Sequence, residues 1–549
     1  NNSSWHFFTP PPEELEDPEQ DPYNPDDNCE ECKNTQSFTS EVESHSGAVI
    51  ETHDLVTYQS LGETKGFTLT YDSLRADPRP IVHFGYKNIQ ADPNRRLQAS
   101  LEVSNGDLTY QLPDNHYWSL PETGGDVDAA LQVDLMQDLP SGRYDYALTS
   151  GILRKVVDST FIDGEFIDVP RFTGSTSTSE GKLLHVNSVD SPFGSGWGIG
   201  GLQQIVENPD RSILIIDGDG GELLFELDTE SGGYIAPPGD FSVLEKLDDG
   251  TFRRTTKEQM VYTFNDKNLL TTTSDRNGNK TQYIYNQSDR IEKIIDPIGL
   301  ETTFTYTGDR ITRIIDPAGR ETQLKYDSAG NLLRITDPDN NSRSFAYDEQ
   351  HHLVVEIDQR GNPELTSYDF AGRATRAIAK DGSAIEIDPV QTQGLYAPEK
   401  TAIAPFDGTQ ITDAPEAFQL KEVAESTYTD ANGNTITNVL DRAGQVISSR
   451  DEEGDLPTVE RNEDNLVSRT TDAKGNLTRF TYDDAGNLLS VEDNLSLLTN
   501  NGSISQPGEK DVYTFEGKIG QQLYYDALDN DGDSLTAVSY THLRAHETF

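Results

Sequence analysis

From about residue 49 onward, apolar and polar positions alternate in short runs set between Gly, Pro, Asn and Asp. Runs such as GFTLTYDS, IVHFGY, RLQASLEVS, LTYQL and ALQVDL fall within residues 49–180. A period of two, broken every few residues by turn formers, predicts strands with one buried face. Many such strands in a row predict an antiparallel β-sandwich. Beyond residue 260 the pattern becomes a repeat. An aromatic-x-Tyr pair, a polar turn, an Ile/Leu-led run and an Asp return about every 21 residues, as in FTYTGDRITRIIDPAGRETQLKYDSAGNLLRITDP from Phe304 to Pro338.

The Asp that follows the Ile/Leu-led run anchors the count. The anchors are Asp275, Asp296, Asp316, Asp337, Asp358 and Asp381, then Asp430, Asp451, Asp472 and Asp493. Ahead of them stands an aromatic slot, occupied by Phe264, Tyr285, Tyr306, Tyr326, Tyr347, Tyr368 and Tyr482, with Leu440 and Arg461 in degenerate copies. A fixed period means one supersecondary unit repeated. Turn sequences such as SAGN and DPAG separate strand-length segments, with Pro presetting φ and Gly supplying φ > 0. Each unit is therefore a β-hairpin feeding the next. Side-chain alternation puts Phe304 with Tyr306, Tyr283 with Tyr285 and Phe345 with Tyr347 on one face. Ile311, Ile314 and Ile315 cannot all share a face unless a bulge intervenes. A lone hairpin is marginal in water. Hairpins joined edge to edge make one sheet whose twist coils it, aromatic face inward, into a hollow spiral or shell.

The phrases YDSAGNLLRITDP, YDFAGRATR and YDDAGNLLSVED resemble the YD repeats of the RHS family, which includes RHS polymorphic toxins, B and C components of insecticidal toxin complexes, and teneurins. SPFGSGWGIGGLQQI resembles the segment that precedes the shell in such proteins. The likeness covers roughly residues 185–497. It implies a secreted or cell-surface β-shell, which in toxin members encloses a C-terminal toxic cargo. In LPSGRYDYALT, Tyr144 after its Gly turn resembles the tyrosine corner of immunoglobulin-like and fibronectin-like sandwiches. The fold class expected is thus all-β, an immunoglobulin/fibronectin-like sandwich followed by a spiralling antiparallel YD-repeat hairpin sheet.

The expected organisation is an acidic Pro-rich linker over 1–48, the sandwich over 49–180, and a Gly/Trp-containing β segment over 181–260. YD repeats follow over 261–382, a Pro-rich insertion over 383–418, and degenerate repeats over 419–497. Residues 502–537 begin with GSISQPGEKDVYTFEG and resemble the start of bacterial pre-peptidase C-terminal domains. VSYTHLRAHET, within 538–549, matches the translation of a sequencing-library transposon adapter, so His542 and His546 carry no chemistry and the natural sequence is expected to end near Ala537.

Composition narrows the function. A formal charge of −52 over 549 residues excludes a nucleic-acid partner, because phosphates demand a basic face. No run of about 18 apolar residues exists, so no membrane span is expected. Cys29 and Cys32, in CEEC, lack the further ligands a zinc site needs and sit outside any strand-to-helix redox context. GSGWGIGG has dinucleotide-loop spacing but no helix follows it, so its glycines are read as packing around a buried Trp197. DGDGG at Asp217–Gly221 reads as a hairpin turn. Asp529, Asp531 and Asp533 imitate a Ca2+ loop without its distal bidentate Glu and read as a solvated turn.

No catalytic set stands out, and no cofactor is expected. The one family activity with a local candidate is self-cleavage at Asp296 in DPIGL, but that motif stands in repeat register and reads as an ordinary turn. The expected function is therefore a non-catalytic scaffold for surface interaction or cargo enclosure, with carbohydrate, a cell-surface partner or a C-terminal cargo as its contacts. The alternative is the shell module of a self-processing toxin whose cleavage site and toxic domain lie elsewhere.

Overall fold

The computed structural model describes residues 40–494, apart from 107, 112–115, 121–122, 134–138, 163–164, 391–394, 396–424, 441–444, 452–453, 456–457 and 473. The expectations for Cys29 and Cys32, for most of the 383–418 insertion, for the 502–537 segment and for Asp529, Asp531 and Asp533 lie outside the described residues. Among the described residues the chain is almost wholly β, the single helix being the turn Ser73–Ala76. No helix there is long and apolar enough to cross a membrane.

Strands Arg95–Asn105 and Gly142–Ile162 form the spine of a six-stranded sheet. The two-stranded pair Ile81–Ile89 and Gly125–Gln132 shares a core with it, built from Val82, Leu97, Leu101, Trp118, Leu131 and Tyr144. The Tyr144 hydroxyl donates to the Pro140 carbonyl at 2.9 Å, tying the entering loop to its strand. Burial first of all pushes that phenol up to about 12.

The repeats make a 19-stranded antiparallel sheet from Val243–Lys246 to Gly454–Asp455, continued by four strands from Thr458–Arg461 to Leu488–Asn494. The sheet therefore begins before residue 261. Nor does the expected insertion break it. Ala384–Asp388 is a full member, and it pairs directly with Glu425–Thr429 through Glu386↔Thr429 and Asp388↔Thr427. A peptide inserted at a hairpin end leaves the ladder on either side intact, because pairing needs only adjacent strands, not a short loop.

Two local rules shape this sheet. In most hairpins the register slips just before the slot, as at Thr305↔Arg313 followed by Tyr306↔Ile311, and the slip recurs at Phe264, Tyr285, Tyr326, Tyr347, Tyr368, Leu440 and Arg461. Ala384–Asp388 pairs with Glu425–Thr429 without one. The extra residue is Thr312 in the case of Tyr306. It returns Ile311 and Ile314 to one face, where both are buried, and leaves Ile315 half-exposed. Between hairpins, pairing mostly lasts for three residues, such as Arg313↔Gln323 to Ile315↔Glu321, with five where Glu425–Thr429 meets Thr435–Leu440. Neighbouring hairpins thus join near the anchor Asp and splay at the slot. Bulges add twist and bend a strand, so one at the same end of nearly all these hairpins curls the sheet. The turn at Gly486 comes back onto Phe241, where a Cβ on the glycine would run into the ring.

The inner face is not hollow where it is described. A second four-stranded sheet, Glu41–Val42, Val49–Asp54, Thr68–Asp72 and Trp197–Ile199, lies against it with the strands of 203–227. Leu69, Tyr71, Phe193, Trp197, Ile213 and Phe225 pack with Phe304, Leu324, Ile335 and Phe345 in one continuous core. Residues 41–48, expected as linker, are strand and turn of this lining. A period of 21 describes how hairpins join each other. It carries no information about what covers them.

Candidate functional site

The lined face of the repeat sheet is where the recurrent side chains converge. Splaying at the slot leaves backbone groups without ladder partners, and buried orphans of that kind are costly. The slot tyrosine fills the wedge. Tyr285, Tyr306, Tyr326, Tyr347, Tyr368 and Tyr482 donate to the carbonyls of Leu270, Ile291, Ile311, Leu332, Leu353 and Val467, each 15 positions upstream. The acceptor is the first residue of the preceding hairpin's return strand, or the second in the case of Ile311. Phe264 has no hydroxyl and is fully buried, whereas the tyrosines are half-buried, those from Tyr285 to Tyr368 with their rings against the core. Burial, the largest influence, pushes the phenols of Tyr283 and Tyr306 up to about 12 and those of Tyr326 and Tyr347 further. They are neutral donors at any physiological pH.

The lining supplies the other half. Ile311 donates its amide to the Pro192 carbonyl at 2.9 Å, Leu353 to the Tyr71 hydroxyl at 3.0 Å, and Ala374 to the Gly47 carbonyl at 2.9 Å. Tyr71 in turn donates to the His351 carbonyl at 2.8 Å. Trp197 Nε1 donates to the Tyr347 hydroxyl at 2.8 Å, and its ring lies 5.2 Å from that of Phe345 and 5.6 Å from that of Tyr71. Gly196, at φ +77, lets the chain pass beside Tyr71, since a Cβ there would sit 2.8 Å from the ring. The glycine cluster around Trp197 is thus a packing device, as its residues imply.

Charged groups stitch the same interface. His53 meets Asp337 at 3.0 Å, and the Arg343 guanidinium lies between Glu51 and Glu356. Glu51, Glu356 and Arg343 are all buried or nearly so. Removing one member of such a set leaves an uncompensated buried charge.

The anchor aspartates close turns. Oδ1 of Asp275, Asp296, Asp316, Asp358, Asp430 and Asp472 accepts the amides two and four residues on. The exceptions are instructive. Asp337 turns its carboxylate to His53 and Gln359, Asp381 takes only the Ser383 amide and hydroxyl, Asp451 takes the Gly454 amide, and Asp493 takes the Thr478 hydroxyl. The sequence reading missed a second set with the same job at the opposite turn, namely Asp327, Asp348, Asp369 and Asp483, each following a slot tyrosine. The signal was present in the YD dipeptide itself. Among the described residues no group of three or more His, Cys, Asp or Glu is placed to hold a metal ion.

Two family models match the repeat region. Residues 257–385 match the teneurin YD-shell model and residues 461–495 the RHS repeat model. No curated protein matches the chain. Among solved structures, TcdB2-TccC3 without its hypervariable C-terminal region is similar at 11% identity and a TM-score of 0.26. The Photorhabdus luminescens Tc holotoxin pore, in a TccC3 variant, is similar at 10% and 0.27. Each covers 81% of this chain, which spans 21% and 26% of theirs.

Proposed function

Because residues 257–385 and 461–495 are repeats of the YD/RHS type, we propose that the chain is a non-catalytic wall segment of a larger secreted or cell-surface protein, a scaffold for surface interaction or for enclosing cargo. One observation carries this reading. The side chains that mark the repeat are committed to building the wall, each slot tyrosine to a carbonyl of the previous hairpin and most anchor aspartates to their own turns. Groups held this way have neither the freedom nor the tuned acidity that acid–base or nucleophilic work requires. The alternative, a self-processing module, draws on Asp296. Its Oδ1 caps the DPIGL turn as most anchors do theirs, but its Oδ2 is buried without a hydrogen-bond partner. Incubating the purified protein for days and following it on denaturing gels separates the two. A single persistent band is expected. A discrete cut near Leu300, abolished by Asp296→Asn, would replace the wall reading with the self-processing one.

A further inference from the structure

The segment that leads from the lining strand Thr68–Asp72 to the strand Ile81–Ile89 passes over the turn that follows Tyr347, and a single imidazole joins the two there. His352 is 3% exposed. Its Nδ1 lies 2.9 Å from Oδ2 of Asp348, on its own turn, and its Nε2 lies 3.0 Å from Oδ2 of Asp77, on the lining. Both neighbours are carboxylates, which only accept. A neutral imidazole has one N–H and one lone pair, so it can serve one of the two and must set a lone pair against the other. Only the imidazolium donates to both.

The surroundings suit a cation. The Tyr368 ring stacks on the imidazole at 4.7 Å with 21° between planes, a favourable face for positive charge. Arg79 donates to Asp77 at 2.7 Å, and the buried Arg373 donates to the Arg79 carbonyl at 3.1 Å, near Asp369. The imidazole therefore stands among Asp77, Asp348 and Asp369 with Arg79 and Arg373, and Asp72 adds its negative charge to the field at Arg373. Gly372 leaves the room, since a Cβ there would stand 2.6 Å from Nε2.

We propose that His352 is a proton-operated clasp, joining the lining at Asp77 to the repeat sheet at Asp348 when protonated and letting go of one of them when it loses its proton. The direction agrees with electrostatics: burial opposes the charge, but the two carboxylates outweigh it and hold the imidazole above its ordinary range. A group raised in this way stabilises fully below its unfolded pKa, and the contribution is lost as pH rises through the folded one. The clasp is thus closed in mildly acidic surroundings and opens on the alkaline side.

The test is a histidine-detected nitrogen NMR titration of the full chain, beside amide exchange corrected for its intrinsic pH dependence. We expect one imidazole, missing in His352→Gln, to keep both nitrogens protonated to higher pH than the free side chain's value of about 6.5. Protection of the amides of 76, 77, 79 and 350–353 should fall about tenfold across that titration. In His352→Gln it should not respond to pH. Asp77→Asn is the second variant, because its amide can supply the donor a neutral Nε2 lacks. It should lower the titration and flatten the exchange profile while leaving the fold in place. A His352 that titrates at or below the ordinary value, or the same pH response in wild type and in both variants, overturns the clasp.

Discussion

The hydroxyl of Tyr326 donates to the carbonyl of Ile311, 2.7 Å away and fifteen residues earlier in the chain. Tyr326 belongs to one hairpin and Ile311 to the one before, and the same bond joins hairpin to hairpin wherever a tyrosine holds the slot. Tyr326→Phe keeps the ring and strands the carbonyl in a dry wedge, so it should cost about 1–2 kcal/mol. Tyr326→Ala also opens a cavity and should cost about 3–5 kcal/mol. Denaturant unfolding of both variants measures the difference. A neutral Tyr326→Phe would mean that the hydroxyl contributes nothing beyond its ring.

The turn aspartates give the acid limb of stability. Hydrogen bonds from the side chains of Asn279, Asn476 and Asn487 hold Asp275, Asp472 and Asp483 below the usual carboxylate range. A group depressed in the folded state contributes stability above its unfolded pKa and loses it as pH falls through the folded one. Melting temperature should therefore drop below about pH 4, the ordinary aspartate value. Replacing all three by Asn keeps the Oδ1 acceptor and removes the titration. The variant gives up the Oδ2 acceptors of Asn279, Asn476 and Asn487, so it should melt below the wild type at pH 7 and fall less steeply in acid, and equal acid slopes would rule these turns out as the source.

A charge of −52 makes the folded chain repel itself. Salt should raise the melting temperature by screening. At fixed ionic strength, millimolar Ca2+ and chelator should give the same melting temperature. A rise with Ca2+ alone would demonstrate a specific site that screening does not explain.

Gly433 and Gly486 both adopt positive φ, +87° and +71°. Substitution by Ala strains either backbone by about 1 kcal/mol. At Gly433 the new methyl meets nothing within 4 Å, whereas at Gly486 it meets the Phe241 ring. Gly486→Ala should therefore lower the melting temperature more than Gly433→Ala, and the excess should vanish in a Phe241→Ala background. An excess that survives there would place its cause elsewhere.

Much of the repeat was legible because its signals are local. Tyr326, Asp316 and Gly319 announce slot, anchor and turn by residue type and spacing alone. The bulge at Thr312 was legible only as a contradiction among Ile311, Ile314 and Ile315, since a two-residue alternation cannot say where the extra residue sits. Asp327 escaped because a Tyr-Asp pair draws attention to its aromatic half. The lining was beyond reach for a different reason. His53 finds Asp337, and Trp197 finds Tyr347, across distances in sequence that no local pattern encodes.

The return of Gly486 to Phe241 also sets a timetable for folding. Apart from the pairing of Ala384–Asp388 with Glu425–Thr429, hairpin and inter-hairpin contacts join residues a few to about twenty positions apart, and such short-range contacts form quickly. Closing the circuit brings together residues separated by nearly half the chain. The entropy of that closure grows only with the logarithm of the separation if the chain between is loose. Here the intervening strands have already zipped into a stiff ribbon of fixed curl, and the ends meet only if each hairpin adds its proper share of bend. A single misregistered bulge would then be felt most at the seam, as a slow phase in refolding, rather than in the hairpin where it arose.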